Sequence, residues 1–543
     1  MKSSSSLPKH LYLLRTPASQ NLHKPSRETM GSKGYNLHRM TEAGLNVPVA
    51  LVIGTHYTNA PQDCLAPVFA MGLPALEECT GHRFGDNRNP LILSVRSGAP
   101  VSMPGMLETL LNIGLNDHTL SGLVRQTGNP RMAWDAYRRL VASYGEVVEG
   151  LPGQLFEDEI DRLTQGQDER LLDFSQLRQL TRTFLALYET HAGKPFPQDT
   201  REQLCGAIKA VFASWNADKA VEYRRIHQID ADMGTAVVLQ RMVFGNTGGH
   251  SGAGVGFTRD PSTGESRLWV DFLANAQGED VVSGRRNAHG HATLAAVAPD
   301  AWKQLQASAQ ALELHFKDMQ DFEFTVQDGV LHLLQTRDGK RTPLAAVRIA
   351  LDLLDDGLID SAEALQRTQT FLEDELGTVR MVTGDDPDSA PAPLALANPA
   401  CSGVVSGAIA LDAQAVERLV QQGVPTILVR QDAETSDIAA LQGAQGLLTQ
   451  RGARTSHAAV VARQMGKTCL VGCAALHIDE ATRTVHIGSQ TLAENDLITL
   501  DGNDGAIYAG QATSTLVPDS ALRERLATLR STQHGKKARQ HAR

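Results

Sequence analysis

The sequence predicts a fold of several domains, α/β and α+β in class. A chain of 543 residues is too long for one ordinary hydrophobic core, so we expect two to four domains. Residues 1 to about 340 alternate helical periodicity with short apolar runs and glycine-rich turns. A second α/β pattern follows at 397–512, after a segment rich in Pro, Ala and Asp. These observations predict domains at 1–340 and 397–512, separated by a helical and linker region at 341–396.

Composition narrows the class of protein. The formal charge of −10 argues against a general nucleic-acid binder, which would present a basic face. No apolar run reaches the length of a membrane-spanning helix, so no membrane partner is expected. Six scattered cysteines fit a reducing compartment better than a disulfide framework. The basic, serine-rich N-terminus has some features of a transit peptide, but the cytoplasm is the expected location.

The elements of the first region can be assigned in order. The run LYLL at 11–14 reads as a short first strand, and MAWDAYRRLVASYGEVV at 132–148 has the apolar spacing of a helix. Three later runs rich in Val and Leu are predicted strands: TAVVLQRMVFG, RLWVDFL and VLHLLQTR. This mixture is typical of a nucleotide-handling enzyme domain.

The remaining regions are also patterned. Residues 341 to about 378 predict a helical hairpin whose second helix begins at a serine cap, Ser361. The second domain shows five candidate strands: GVVSGAIAL, VPTILVR, GLLTQ, TCLVG and LITLDG. The tail at 513–543 predicts a basic helix fading into polar coil. We expect a solvated terminus there, and docking of the tail to an acidic partner is the alternative.

Arg96 lies at the end of an apolar run and is followed by twelve small, polar or flexible residues that include Gly105. An arginine beside such a loop suits phosphate oxygens, through its own donors and through backbone N–H groups. An ordinary strand-to-loop turn with a surface arginine explains the pattern equally well.

A glycine-rich stretch, GNTGGHSGAGVGFTRDPSTGE, occupies 245–265. Glycine lets the backbone approach a ligand closely, so this stretch predicts a loop over a triphosphate. A hairpin without a ligand is the other interpretation.

The segment 318–341 predicts a hairpin with its turn at QDG. Asp321 and Glu323 alternate with phenylalanines and therefore share one face, as do Gln335 and Arg337 on the returning strand. Carboxylate and amide oxygens facing a phosphate are ligands for Mg²⁺, with the arginine offsetting charge. A solvated sheet face with a cross-strand Glu–Arg pair fits the same alternation.

His457 opens the run HAAVVARQ, directly after Ser456. Ser456 can cap a helix from His457 to about Gln464, which puts the histidine at the positive end of the helix dipole. A phosphoryl group on the imidazole would meet free backbone N–H groups, and the same field disfavours a protonated ring. Local physics leaves this nucleophile and a simple capped core histidine both open.

Taken together, these stretches resemble pyruvate phosphate dikinase. The family pattern GGMTSHAAVVARGMGK compares with GARTSHAAVVARQMGK, and SVRSGAxVSMPGM with SVRSGAPVSMPGM. The patterns QxMVFGN, SGxGVxFTRxPxTGE, NAQGEDVV and LQTRxGKRT are matched as well, so the resemblance covers roughly residues 28–512. It implies an N-terminal ATP-grasp nucleotide domain and a swivelling phosphohistidine domain.

The resemblance implies the site residues position by position. His457 would receive a phosphoryl group, with Arg337 and Arg96 as catalytic arginines, and Thr455 would be the site of regulatory phosphorylation. Glu323 and Gln335 would hold Mg²⁺. The residues implied to bind ATP, which enters as a substrate, are Lys33, Arg96, Gly105, Arg139, Gln240, Gly254, Glu279, Asp280, Asp321, Glu323, Gln335 and Arg337.

The implied activity is an ATP-dependent phosphotransferase of dikinase type. ATP and inorganic phosphate would give AMP, pyrophosphate and phosphohistidine. The family's C-terminal barrel for phosphoenolpyruvate and pyruvate does not fit after residue 512, so we expect the acceptor on a separate barrel protein or elsewhere. A different acceptor and a nucleotide-binding regulatory paralogue are the alternatives, and a homodimer is a further expectation.

One departure from the family pattern lies beside the histidine. GAR replaces GGM, so Arg454 stands where a methionine is usual. A cation three residues before His457 would either steady a phosphoryl group or mark a different docking surface.

Overall fold

The protein divides into two compact units of mixed α/β structure, which confirms the predicted fold class. The computed structural model describes residues 7–15, 24–103, 105–165, 167–282, 290–382, 392–432, 437–454 and 456–541. The first unit comprises Met1–Ser251 and Thr325–Thr336, and the second comprises Gly252–Phe324 and Arg337–Arg543. Thr455, the predicted regulatory residue, lies outside the described residues, as does much of the predicted linker at 383–391.

The first unit is an antiparallel sheet covered by helices. Its strands run in the order β1-β2-β5-β3-β4, and every pairing between neighbours is antiparallel. Its elements are β1 (Leu11–Leu14), α1 (Arg27–Glu42), β2 (Ala50–Ile53), α2 (Gln62–Pro67), α3 (Leu73–Thr80), β3 (Leu93–Gly98), β4 (Thr109–Ile113), α4 (Leu120–Thr127), α5 (Pro130–Glu149), α6 (Gln154–Thr164), α7 (Phe174–Ala192), α8 (Thr200–Ala213), α9 (Asp218–His227) and β5 (Ala236–Arg241).

Helix α5 shows why this layer forms where the sequence predicted it. Asn129 caps the helix by accepting a hydrogen bond from the Met132 amide, Pro130 occupies its first turn, and Gly150 ends it in the left-handed conformation. Its apolar face, which includes Tyr137 and Tyr144, is buried in the main core of the unit. The predicted strands at 11–14 and 235–245 appear as β1 and β5.

The second unit begins with the strands and helices that follow Ser251. These are β6 (Gly252–Phe257), β7 (Trp269–Ala274), α10 (Gly278–Val282), α11 (His291–Val297), α12 (Pro299–Phe316), β8 (Gln320–Gln327), β9 (Val330–Asp338), α13 (Pro343–Asp355), α14 (Ser361–Thr368) and β10 (Gly377–Met381). Four of the strands form a sheet in the order β7-β6-β8-β9. Strands β8 and β9 are the predicted hairpin, and its tip at 325–336 belongs to the first unit.

The rest of the second unit is built on an eight-stranded sheet in the order β11-β21-β20-β13-β14-β15-β16-β12. Its elements are β11 (Ala395–Leu396), β12 (Asn398–Cys401), β13 (Val404–Ala410), α15 (Ala413–Gln421), β14 (Thr426–Arg430), α16 (Ile438–Gly443), β15 (Gly446–Thr449), α17 (His457–Gln464), β16 (Thr468–Val471), β17 (Leu476–Asp479), β18 (Thr484–Ile487), β19 (Gln490–Ala493), β20 (Leu497–Asp501), β21 (Ala506–Ala509), β22 (Ser514–Pro518) and α18 (Ser520–His541). Strands β13 to β16 pair in parallel, and all five predicted strands are present.

Small side chains set the distance between α17 and this sheet. Ala458, Ala459 and Ala462 of the helix are buried in a cluster with Ala400 and Cys469 of strands β12 and β16. A second cluster on other residues of the sheet contains Ile409 and Leu500 together with apolar residues of strands β17 and β18. The alanine run after His457 is therefore a packing face that lets the helix lie close to the sheet.

Two sequence predictions need correction. The second helix of the predicted 341–378 hairpin ends at Thr368, and its cap is Asp360, not Ser361, because Asp360 accepts a hydrogen bond from the Glu363 amide. The tail is not a solvated terminus: β22 pairs with β10, and Leu522 and Leu526 of α18 are buried in the cluster that contains α13 and α14 residues. No helix among the described segments is long and apolar enough to cross a bilayer.

Candidate active site

Arg96 is the centre of a polar network in the first unit. Strand β3 carries it, and its Nη1 donates to the Gln240 Oε1 at 3.2 Å and to the Leu334 carbonyl at 3.1 Å. Its Nη2 donates to the Gln335 Oε1 at 3.0 Å. Gln240 is itself buried and donates to the Pro48 carbonyl. The structure thus brings together three predicted residues, Arg96, Gln240 and Gln335, which hold the guanidinium in one orientation.

Lys33 lies beside the end of the same strand. Helix α1 is kinked at Gly31, whose φ of +66° is in the left-handed region, and Ser32 donates from its amide and its hydroxyl to the Ala99 carbonyl. The kink brings the Lys33 Cβ within 3.1 Å of the position that a Cβ on Gly98 would take. The GSKG segment therefore places a half-buried lysine near the strand that carries Arg96.

Gly105 is exposed between two anchored methionines. Met103 and Met106 are both buried in a small cluster with Trp215 and Ala220. Gly105 itself has a φ of +72°, a conformation that favours glycine. The methionines fix the loop after β3 at two points, and the glycine backbone between them faces solvent.

Arg139, predicted to contact phosphate, is held by carboxylates of the helical layer. Its Nε donates to the Asp135 Oδ2 at 3.1 Å, and its Nη2 lies 3.7 Å from the Glu169 Oε1. Asp135 also accepts from Arg138, and both side chains of that pair are buried. Burial would raise the pKa of Asp135, but Arg138, Arg139 and Arg131 together hold it below its ordinary value. The carboxylate therefore stays ionised and keeps both arginines in place.

The second unit holds an ion pair on the β8–β9 hairpin. The Arg337 Nε donates to the Asp321 Oδ2 at 2.7 Å, and Asp321 is buried. Asp321 raises the pKa of Arg337, whereas burial raises the pKa of Asp321 despite the arginine. Glu323 lies two residues along β8 and is half-buried. The alternation seen in the sequence is present in the strand, but Arg337 forms this ion pair with an aspartate, Asp321, where the sequence analysis named a Glu–Arg pair.

Glycine 254 lies within strand β6, not in a loop, so the expectation that it supplies loop backbone is wrong. A Cβ on Gly254 would lie 2.4 Å from the Phe324 ring and 2.7 Å from the Asp271 carbonyl oxygen. Gly252 and Gly256 face Phe272 and Phe322 in the same way. These three glycines allow aromatic rings to cover the strand, a reason that the sequence pattern does not distinguish from ligand approach.

Glu279 and Asp280 lie on the short helix α10. The Asp280 carboxylate accepts from the Gln277 amide at 3.0 Å, and the Asp280 amide donates to the Gln277 carbonyl. Glu279 is exposed and Asp280 is half-buried. The hydrogen bonds fix the turn of the NAQGED motif and leave both acids at the start of the helix.

Helix α17 begins at His457, as predicted. The Ser456 hydroxyl accepts a hydrogen bond from the Ala459 amide at 3.4 Å, so one free N–H of the first turn is satisfied by the cap. The helix runs to Gln464, and its alanines are buried. The His457 backbone lies at the positive end of the helix.

Arg454 reaches from the segment before His457 to strand β7. Its Nε donates to the Asp271 Oδ1 at 2.8 Å and its Nη2 to the Val270 carbonyl at 3.1 Å. The guanidinium also lies over the Trp269 ring, 3.8 Å from the centroid. Of the two roles open from the sequence, the contacts are those of a docking surface.

Arg463 is a functional candidate that the sequence reasoning missed. It is the largest fully buried side chain of the described chain. Its Nε donates to the Ala400 carbonyl and its Nη2 to the carbonyl of Arg454. The sequence did contain a signal for Arg463, because an arginine within the apolar run HAAVVAR needs a hydrogen-bonding partner if it is buried. Asp271 and Trp269 were missed too, because in sequence they belong to an ordinary alternating strand.

Two sequence families match parts of this chain. Residues 73–296 match the family described as pyruvate phosphate dikinase, AMP/ATP-binding domain, and residues 423–505 match PEP-utilising enzyme, mobile domain. The chain is 42% identical over 512 residues to pyruvate, phosphate dikinase of Clostridium symbiosum, covering 92% of this chain and 58% of the relative. It is 41% identical to that of Rhizobium meliloti, covering 89% and 56%, and 40% identical to pyruvate, phosphate dikinase 1, chloroplastic, of Zea mays, covering 90% and 52%.

The chain belongs to the pyruvate, phosphate dikinase family. The two matched segments fall in the regions that carry the Arg96 network and His457, in the order that the sequence predicted. The chain spans a little over half the length of the curated dikinases it matches.

The metal implied by the resemblance is Mg²⁺, and its ligands are sought among the described residues. Among the described residues, no group of three or more His, Cys, Asp or Glu side chains is arranged to hold a metal ion. Mg²⁺ commonly takes only one or two protein oxygens and completes its shell with phosphates and water. Glu323 supplies one carboxylate, and the Gln335 amide oxygen has a second lone pair besides the one that accepts from Arg96. Taken singly, each oxygen is of the type that Mg²⁺ accepts.

Proposed function

We propose that this chain transfers a phosphoryl group from ATP to His457, in the manner of a pyruvate phosphate dikinase. ATP, inorganic phosphate and the imidazole give AMP, pyrophosphate and phosphohistidine. The β–γ anhydride bond of ATP breaks and the γ-phosphoryl group ends on inorganic phosphate as pyrophosphate. The α–β anhydride bond also breaks, which leaves AMP, and the β-phosphoryl group forms a bond to a ring nitrogen of His457. Atoms and charge balance without an oxidant or reductant.

The observation that carries the proposal is the setting of His457. The histidine opens the capped helix α17, whose first-turn N–H groups favour a negative phosphoryl group. Arg454, three residues earlier, contacts strand β7 in the same unit as Asp321 and Arg337.

We assign the other side chains by the donors they present. Arg96, oriented by Gln240 and Gln335, offers its guanidinium to phosphate oxygens, with Lys33 near the same strand. Arg337 offsets charge that develops on the transferred group. Glu323 and Gln335 would hold Mg²⁺, which would neutralise polyphosphate charge when bound.

The remaining residues implied by the family stay part of the proposal. Those assigned to nucleotide contacts are Gly105, Arg139, Gly254, Glu279, Asp280 and Asp321, with Thr455 as the regulatory site. For Gly254 the structure favours packing against Phe324 as the reason for the glycine.

The proposal extends to the acceptor, the cell compartment and the assembly. We propose pyruvate as the acceptor, presented by a PEP/pyruvate-binding barrel and converted to phosphoenolpyruvate. All six cysteines are free, which supports a reducing compartment such as the cytoplasm. We also propose a homodimer and domain limits at 1–340, 341–396, 397–512 and 513–543.

The test is incubation of the purified chain with β-labelled ATP, Mg²⁺ and inorganic phosphate. We expect AMP and acid-labile label in the wild type, and neither label nor AMP in His457→Asn. His477→Asn removes an exposed histidine of strand β17 and is the matched control, expected to label normally. Label that persists in His457→Asn, or a wild type that forms no AMP, contradicts the proposal.

Two further arms separate the alternatives. Omitting inorganic phosphate should stop AMP formation in a phosphate-using dikinase and leave it intact in a water-using enzyme. Adding pyruvate with a purified dikinase barrel should move the label to phosphoenolpyruvate. ATP binding without AMP formation would favour a regulatory paralogue.

A further inference from the structure

Arg454 makes its contacts to one short stretch of strand β7. Its Nε and Nη2 both donate to the Asp271 Oδ1, and its Nη2 also donates to the Val270 carbonyl. The ring of Trp269 lies under the same guanidinium. Three consecutive residues of β7 therefore receive the donors and the flat face of one arginine, which is a geometry that lysine and methionine do not reproduce.

The partner carboxylate is buried, so the contact is selective. Asp271 is 1% exposed, and the Arg454 side chain is 20% exposed. Burial raises the pKa of Asp271, while Arg454 opposes that shift. Without Arg454, the buried carboxylate would lose the cation that donates hydrogen bonds to it, which is strongly unfavourable.

A second arginine ties this contact to the helix that begins at His457. Arg463 of α17 donates from its Nη2 to the Arg454 carbonyl at 3.2 Å and from its Nε to the Ala400 carbonyl at 3.1 Å. Its guanidinium lies 5.2 Å from the Phe257 ring centroid on β6. The backbone of Arg454 is thus fixed to α17 while its side chain is fixed to β7.

The contact is not fully satisfied. Within the part of the chain that the structure describes, the Asp271 Oδ2 and the Arg463 Nη1 are buried and have no hydrogen-bond partner. A buried ion pair of this kind adds little net stability, but it is sensitive to the loss of either partner. Such a contact suits a surface that sets a position and must later release.

We propose that Arg454 is a positioning residue, which holds the histidine segment against β7 for phosphoryl transfer from ATP to His457. This inference rests on the proposed function, and it places the action of Arg454 at the transfer of the phosphoryl group from ATP to His457. It differs from the other role left open by the sequence, in which Arg454 steadies the phosphoryl group after transfer. The donors of Arg454 that point to β7 are occupied by Asp271 and Val270.

The kinetic test compares Arg454→Met, Asp271→Asn and the double variant in the labelled-ATP assay. Methionine is the residue of the family pattern at this position, so the variant is expected to fold. We expect label formation to slow ~10-fold in each single variant and no further in the double variant, because both remove one contact. KM for ATP should stay unchanged. Arg451→Met, which removes an exposed arginine paired with Asp432, is the matched control and should label at the wild-type rate.

The lifetime of the label separates positioning from stabilisation of the phosphoryl group. In Arg454→Met the half-life of phosphohistidine should equal that of the wild type. A half-life shortened several-fold, or a labelling rate equal to the wild type, overturns the proposal.

Hydrogen–deuterium exchange gives a readout that does not need activity. Amides of residues 451–464 should exchange faster in Arg454→Met and in Asp271→Asn, equally in the double variant, and at the wild-type rate in Arg451→Met. Unchanged exchange in both single variants overturns the docking contact. A wild type that forms no label rejects the proposed function, and the exchange experiment still decides whether Arg454 docks the segment.

Discussion

At the scale of single residues, one backbone angle sets the approach of α1 to β3. Gly31 has a φ of +66°, and a Cβ there would lie 1.6 Å from the Gly98 carbonyl oxygen. No other residue type fits both requirements. A Cβ on Gly34, the second glycine of GSKG, would lie 2.9 Å from the Val52 Cγ1. The motif thus positions Lys33 through packing, independently of any contact with a nucleotide.

Buried charged side chains also affect stability at the scale of single residues, and a substitution of Asp135 measures the size of this effect. The folded-state pKa of Asp135 lies below its ordinary value, so its contribution is present above about pH 4 and is lost as pH falls through the folded pKa. Asp135→Asn should lower the free energy of unfolding by ~3–5 kcal/mol at pH 7, because Arg138 loses a buried partner. Urea unfolding of the wild type and of Asp135→Asn at pH 7 and at pH 3 measures this difference in the free energy of unfolding at each pH.

The control for Asp135→Asn is Asp300→Asn. Asp300 is exposed and pairs with Lys303, so its loss should change stability by less than ~1 kcal/mol. A difference between Asp135→Asn and the wild type that is the same at pH 7 and pH 3 would contradict the assignment.

At the scale of elements, α18 shows where composition misled the sequence analysis. Its arginines made the tail look solvated, but Arg525 donates to Asp352 and Asp355 of α13. Arg530 donates to the carbonyls of Thr368 and Phe371. The acidic partner that the sequence left as an alternative is a helix of the same chain. The charge of the tail alone could not identify this partner, because the contacts of Arg525 and Arg530 join residues more than 150 positions apart.

The burial of α18 predicts the effect of shortening one leucine. Leu526 is fully buried in the cluster with α13 and α14 residues, so Leu526→Ala should destabilise the second unit by ~2–5 kcal/mol. Leu314→Ala, at a helical leucine that is 57% exposed, should change stability by no more than ~0.5 kcal/mol. The midpoints of urea unfolding measure both variants. Equal midpoints for the two would mean that α18 does not pack as described.

At the scale of the whole molecule, segments of the second unit that precede the predicted linker pair with segments that follow it. Strand β10 precedes the linker and β22 lies near the end of the chain, yet the two pair from Gly377 with Pro518 to Met381 with Ser514. Arg348 of α13 also bonds to Asp519. The predicted tail therefore belongs structurally with the helical hairpin, which a division at residue 513 does not capture.

The pairing of β10 with β22 predicts that the two fragments of a chain cut in the linker stay associated. With a protease site inserted after position 388, the two fragments should elute together in size-exclusion chromatography after cleavage. The strand pairing and the apolar contacts of α18 hold them. Adding Leu526→Ala should promote separation at low protein concentration. Fragments of the otherwise wild-type chain that separate at once would contradict the prediction.

The sequence by itself determined the local features of this protein: the family, most strands, and the start of α17 at His457. These depend on periodicity, capping and turn residues that act within a few positions. Only the tertiary structure decided the partners of Arg454, Arg463, Arg139 and the arginines of α18, and the packing reason for Gly254. Each of these depends on which distant side chain or backbone oxygen lies within hydrogen-bonding or van der Waals distance. Local sequence patterns carry no information about that distance.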